Sequence, residues 1–418
     1  MYASFAYSSL LAFAIWLATT AALPTASPVP LPPSRDPWYT APAGFEDAVP
    51  GEVLRLRQAP GNLTAVYNQS SAAYHILYRT TDSNYNASWA VTTLLVPKHT
   101  NGSALLSYQI PYNTPDVDGS PSYALDQPYF SEGLVNSDIQ TALGLGWYVN
   151  IPDFEGPLAA FGLGVQEGHA TLDSVRAALN TGFGLSDDVR YAMWGYSGGS
   201  IASEWAAELQ VQYAPELNFA GVALGGLVPN FTSVLDSASG QWWSGLLPAA
   251  LLGSTKQNVA AKYYLLSQLK PSGLYNSTGF LAAENMTIAE AFVTYANQPI
   301  YEYFINGLES LHAPVLQRLL NTNGVMGYHS VPQMPLYIYK AVHDEITPIV
   351  DTDELVARYC EVGADIVFER NTIGGHLAEE TNGDAKAIQW LQSVLGGTYE
   401  HVGCTIRDVT WNVTDSFE

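Results

Sequence analysis

The stretch Arg190–Ser200 (RYAMWGYSGGS) constrains the fold of this 418-residue chain more than any other. An apolar run leads into Gly195-Tyr196-Ser197-Gly198-Gly199. From there Ile201, Trp205, Ala206 and Leu209 recur at three- and four-residue spacing, and the pattern stops before Pro215. A buried strand must therefore turn sharply and continue as an amphipathic helix. Such a turn forces Ser197 into a strained backbone and presses neighbouring backbone close, so positions 195 and 199 must lack Cβ. The start of the helix then points amide donors and its positive dipole end at any oxyanion formed there. This is G-x-S-x-G in its strand–turn–helix context. It marks Ser197 as a nucleophile and the backbone N–H of Gly198 as the first oxyanion donor.

The rest of the chain repeats the same rhythm. Strand-like runs at Ala104–Ile110, Trp147–Ile151, Arg190–Trp194, Phe219–Leu224, Leu336–Val342 and Asp365–Glu369 alternate with helical patterns at Thr171–Leu179, Ile201–Tyr213, Thr352–Cys360 and Ala385–Leu395. Alternation predicts an α/β fold, a mostly parallel sheet with helices on both faces. The rhythm breaks between Asn230 and Val331. There Trp242, Trp243, Leu246, Leu247, Leu251 and Leu252 crowd one stretch, and helical patterns at Val259–Leu269 and Ile288–Tyr295 follow without strands between them. We read residues 230–331 as an inserted helical cap between two parts of the core, 37–229 and 332–418.

The first residues read as an address. Leu10–Leu23 is one apolar run, too short for the ~20 residues a membrane span needs, and small residues follow it. The expectation is a signal peptide over 1–22, then a proline-rich propeptide or linker over 23–36, and a secreted, extracellular product. Asn-X-Ser/Thr sequons at Asn62, Asn68, Asn86, Asn101, Asn230, Asn276, Asn285 and Asn412 fit that compartment. An oxidising environment lets Cys360 and Cys404, the two cysteines of the chain, pair. The net charge of −23, from 16 Lys+Arg against 39 Asp+Glu, argues against nucleic acid or an anionic membrane as partner.

A serine nucleophile needs a histidine to take its proton and an acid to hold that histidine, in the chain order Ser, Asp/Glu, His for this kind of turn. The strand Leu336–Val342 is followed by His343-Asp344-Glu345, which makes Asp344 the best acid, with Glu345 and Asp351 as fallbacks. After Asp365–Glu369 comes Asn371-Thr372-Ile373-Gly374-Gly375-His376, and two glycines suit a loop that brings an imidazole over the sheet edge. His376 is the expected base.

These residues, with Asp36-Pro37-Trp38-Tyr39, Ala43-Gly44-Phe45-Glu46, Ser107-Tyr108-Gln109 and Leu172-Asp173-Ser174-Val175-Arg176-Ala177-Ala178, make the chain resemble the fungal secretory lipases, an α/β-hydrolase family. The resemblance implies the triad Ser197, Asp344 and His376, a helical cap and a late disulfide matching Cys360 and Cys404. It departs in two places: the cysteines of the family's earlier disulfide are missing, and Asn113 stands where the family's second oxyanion group is an Asp. A backbone N–H donor survives that exchange; a carboxylate role does not.

The implied reaction is ester hydrolysis through an acyl-serine, with no metal or organic cofactor, by a monomer acting on a lipid or ester substrate without stable membrane insertion. The Trp242–Leu252 cluster reads as an acyl tunnel, a lipid-facing surface, or the cap's own core. Rival readings are a serine exopeptidase on the same fold and an inactive binding protein on a hydrolase scaffold.

Overall fold

The computed structural model describes residues 29–127 and 134–413. The expected signal peptide, and the expected linker up to residue 28, lie outside the described residues. A ten-stranded sheet forms the centre, in the order β1-β2-β3-β5-β4-β6-β7-β8-β9-β10. Its strands are β1 Val53–Gln58, β2 Ser70–Thr81, β3 Ala87–Pro97, β4 Ala104–Gln109, β5 Tyr148–Pro152, β6 Arg190–Tyr196, β7 Gly221–Gly225, β8 Leu336–Ala341, β9 Ile366–Asn371 and β10 Cys404–Val409. From β5 to β10 every neighbouring pair is parallel, whereas β1, β2 and β3 pair antiparallel and join the sheet through β3–β5. The parallel strands β4, β5, β7 and β8 are buried along their whole length, as strands covered on both faces must be.

Helices cover both faces. Alternation along β4 makes this visible. The Tyr108 hydroxyl donates to Asp138 of the helix Leu134–Gly144, while the adjacent Gln109 accepts from Ser203 of the helix Gly198–Tyr213. Strand order reverses at β4, whose neighbours are β5 and β6. The carboxyl ends of β4 and β6 therefore flank a crevice where open α/β sheets place their ligand sites.

Between β7 and β8 the chain carries no named strand. It forms the helices Phe231–Ser237, Leu246–Ser254, Val259–Ser267, Ser277–Leu281, Ile288–Tyr295 and Pro314–Asn323. Asn230 caps the first and Asn258 the third through their side-chain oxygens. Thr287 and Glu290 form a capping box on the helix Ile288–Tyr295.

Cys360 and Cys404 form a disulfide that ties the end of the helix Ile349–Glu361 to the start of β10. With 44 positions between the cysteines, the loop-entropy model values the bridge at roughly 4 kcal/mol. The closed loop contains His376. A Cys360→Ser/Cys404→Ser double variant is expected to lose thermal persistence of activity while keeping most of its initial rate at 25 °C. Residual activity after heating, compared with the wild type, measures it.

Several carboxyls are buried in this core. Glu167, in the helix Gly164–Leu179, accepts from the Gly162 N–H with one oxygen, and burial pushes its pKa up to about 8. Burial likewise pushes Asp153 up to about 7. A carboxyl raised in the folded state holds a proton that the unfolded chain releases near pH 4, so its stabilising contribution disappears as pH rises through the folded value. Melting temperature is expected to fall by several degrees between pH 5 and pH 8, and Glu167→Gln to flatten that slope. Thermal melts across the range check it.

Candidate active site

The turn after β6 takes the form its glycines require. Ser197 has φ +49° and ψ −120°, a region that side chains rarely occupy. Its N–H donates to the Gly225 carbonyl at the end of β7, which fixes the turn to the neighbouring strand. A Cβ at position 195 would run into the backbone of Gly199, and one at position 199 into the backbone of Gln109. Gly198 opens the helix Gly198–Tyr213, so its N–H is a first-turn amide with no acceptor in the helix ladder. Asn113, in the loop after β4, is buried and also takes a positive φ of +46°. Its side chain lies against Gly198, where a Cβ would overlap Asn113 Oδ1.

The serine, imidazole and carboxylate meet. His376 Nε2 lies 2.8 Å from Ser197 Oγ, and His376 Nδ1 lies 2.8 Å from Asp344 Oδ2. Asp344 Oδ1 accepts from the N–H groups of Ile346 and Thr347 at 3.0 and 2.8 Å, and Oδ2 accepts from the Thr347 hydroxyl at 3.0 Å. Lys340 Nζ completes the set 3.3 Å from Oδ2, with both side chains fully buried. Burial alone would raise the Asp344 pKa; Lys340, His376 and the Thr347 N–H outweigh it and hold the carboxyl well below its usual range.

His376 departs from its expected setting. It is the first residue of a twenty-residue helix, His376–Leu395, rather than part of a loop, and that helix starts nine residues before the predicted Ala385. The Gly374-Gly375 pair supplies the turn into the helix. Two contacts that the sequence did not disclose lock the His376 backbone: its N–H donates to Glu345 Oε2 at 2.7 Å, and its carbonyl accepts from the Tyr196 hydroxyl at 2.5 Å. Glu345, a fallback acid, thus holds the backbone of His376 and not its ring. Asp351 lies near Ser233 and Lys340, and His343 is exposed. The G-Y-S-G-G motif contains Tyr196, but no local pattern says where its hydroxyl points.

A small cavity adjoins the serine. Ser197, Gly198 and Asn113 form its polar end; Phe161, Phe231, Leu235, Leu246 and Leu247 are among its apolar walls. Its free volume of about 20 Å³ is small on a scale where one water needs roughly 10–15 Å³. The predicted aromatic–leucine cluster divides. Leu246 and Leu247 face this cavity, Leu251, Leu252 and Trp243 are buried, and Trp242 packs edge-on against Trp243 and Phe292 with 38 % of its surface exposed.

Among the described residues, no helix is long and apolar enough to cross a membrane, and no group of three or more His, Cys, Asp or Glu is placed to hold a metal. An acid–base–hydroxyl chain with free amides beside the hydroxyl can perform nucleophilic acyl transfer. Because Asn113 and Gly198 abut, Gly198→Ala is expected to push Asn113 out of place and lower kcat/KM by roughly 10²-fold or more, with little change in melting temperature. Steady-state kinetics and a thermal melt on that variant test it.

A family model described as "Secretory lipase" matches residues 133–401. The chain is 50 % identical over 417 residues to a trichothecene C-3 esterase of Fusarium sporotrichioides, covering 96 % of this chain and 93 % of that one. It is 37 % identical over 400 residues to Lipase A of Arthroderma benhamiae, covering 92 % and 84 %. Candida antarctica lipase A in its closed state superposes with a TM-score of 0.83 at 28 % identity, covering 91 % of each chain. With the site's geometry and these relatives in agreement, the chain belongs to the secretory lipase family and is an α/β-hydrolase acting on carboxylic esters.

Proposed function

We propose that this protein is a secreted serine esterase that cleaves short-acyl esters through an acyl-serine intermediate. The observation that carries the mechanism is the continuous chain Ser197 Oγ–His376–Asp344, with 2.8 Å at each imidazole nitrogen. Ser197 attacks the ester carbonyl. His376 takes the hydroxyl proton and returns it to the leaving alcohol, and Asp344 orients the ring and stabilises the imidazolium. The Gly198 N–H and Asn113 stabilise the oxyanion, and water then releases the acid by the same steps. A fully assembled triad runs against the inactive-scaffold reading, and an apolar cavity without charged walls runs against an exopeptidase.

The size of that cavity favours a small acyl group over a long chain, because its walls are buried side chains that a long chain would have to displace. The helices over Ser197 act as the cap, and Leu246, Leu247 and Phe231 set the acyl limit. The trichothecene C-3 esterase at 50 % identity favours a trichothecene ester as substrate over a triacylglycerol. Secretion is supported by the apolar leader, the disulfide, and the exposure of Asn62, Asn68, Asn86, Asn101 and Asn285; Asn230, Asn276 and Asn412 are half-buried.

The test is a p-nitrophenyl ester series from acetate to palmitate, a trichothecene ester and a triolein emulsion. Acetate and butyrate are expected to exceed palmitate by at least about tenfold in kcat/KM, since one methylene in a fitted pocket is worth ~10–200-fold. Ser197→Ala is expected to lose roughly 10⁴-fold or more in kcat. A preference for palmitate and triolein would overturn the substrate assignment, and an active Ser197→Ala enzyme the mechanism.

A further inference from the structure

Lys340, near the end of β8, is wholly buried beneath the site. Its Nζ meets three oxygens: the Leu227 carbonyl at 2.6 Å, the Thr347 hydroxyl, and Asp344 Oδ2 at 3.3 Å. An ammonium has three protons to donate and nothing to accept with, so three surrounding oxygens form the setting of a charged lysine. Asp344 has no need of a cation for hydrogen bonding. Ile346, Thr347 and His376 already supply four donors to its two oxygens. Burying a charge is costly unless it is well paired, so a buried cation placed on this carboxylate calls for an explanation beyond packing.

We propose that Lys340 is a positioning residue that acts through Asp344: its charge offsets that of the carboxylate, so the Asp344–His376 pair holds a proton less tightly than it would with that carboxylate uncompensated. This rests on the triad reading given above. Without Lys340, an imidazolium formed on His376 faces the full negative charge of Asp344. With it, imidazolium and ammonium share one carboxylate.

The remaining ionisable groups around the pair do not replace that effect. On the helix of His376 itself, burial raises Glu379 to about 8, which keeps it uncharged toward acidic pH, and burial raises Glu380 while His376 opposes that. From β6 and β8, Tyr196 and Tyr339 are pushed up by burial and stay neutral. Glu345 is exposed and accepts the His376 N–H, and Ser197 occupies Nε2. Asp351 and Asp353, on the helix Ile349–Glu361, act on Lys340. Burial lowers the lysine's own pKa and Asp344 opposes that.

The test is the pH profile of kcat/KM for p-nitrophenyl acetate, from pH 4.5 to 8.5, in the wild type, Lys340→Met, Lys340→Gln and Thr347→Val. Removing the cation strengthens the hold of Asp344 on the imidazolium, so the acid limb moves upward. Both lysine variants are expected to shift its midpoint up by about one unit or more, the usual effect of one nearby charge. Thr347→Val removes a hydrogen bond to Asp344 and one from Lys340 while keeping the lysine's charge in place; it is expected to alter rate and leave the midpoint within a few tenths of a unit. A midpoint unmoved in the lysine variants overturns the proposal, and so does an equal shift in Thr347→Val, which would mark packing rather than charge. Should the lysine variants fail to fold by circular dichroism, the ¹³C shift of Lys340 Cε in the wild type decides. An ammonium from pH 5 to 8 sustains the proposal, and an amine overturns it. A wild type that a fluorophosphonate cannot label at Ser197 removes the triad reading itself; active lysine variants with an unmoved limb remove the role of Lys340 alone.

Discussion

The backbone at Ser197 is the constraint from which the rest of the site follows. A non-glycine residue at φ +49° is held there against its own preference, and it stays because the surroundings leave no alternative. Gly195 and Gly199 let the strand and helix approach within the space of a missing Cβ, and the Ser197 N–H is bound to Gly225 of the adjacent strand. One consequence is that the hydroxyl stands above the carboxyl edge of the sheet. Another is that the first amides of the helix Gly198–Tyr213 remain free beside it. Replacing either flanking glycine therefore acts on the reacting atom through the backbone, without any change to the serine.

The opposite side of the site is governed by charge burial. Asp344 stays ionised in an apolar setting because backbone amides, a hydroxyl, an imidazole and Lys340 converge on it. Elsewhere in the same core Glu167, Asp153 and Glu379 have too few such donors, and burial favours their protonated forms. The difference is one of partners rather than depth. The fold thus keeps one carboxylate charged where chemistry uses the charge and lets others go neutral where only packing matters.

Much of this was legible in the residues. The strand–turn–helix around Ser197 is local: its apolar run, its glycines and its helical spacing all lie within some twenty residues, so periodicity and glycine placement reveal it. Strands β4 to β9 were legible for a related reason, since buried parallel strands are continuous apolar runs. The antiparallel edge was not. β1, β2 and β3 mix polar and apolar residues, as in Arg55, Arg57, His75, Thr92 and Thr93, so they lack a continuous apolar run, and only the distant pairing of β3 with β5 joins their meander to the parallel strands. His376 was identified by its order after Ser197 and Asp344, yet its helix was predicted to start too late. Glu379, Glu380 and Asp384 interrupt the apolar pattern, and Glu379 is buried there against the Asn371 side chain of β9, a contact that no local pattern discloses.

By itself, the sequence determined the parallel strands β4 to β9, the sharp turn at Ser197, the order of the three candidate catalytic residues and the pairing partner available to each cysteine. These are properties of short segments, set by steric limits on the backbone and by the spacing of apolar side chains. Tertiary structure alone decided that His376 and Ser197, 179 positions apart, come within 2.8 Å, that Lys340 lies on Asp344, and that the space beside the serine is small. Each of these depends on where separate elements come to rest against a common sheet. A distance across a packed core and the volume left between its walls are sums over many long-range contacts, and no single segment carries them.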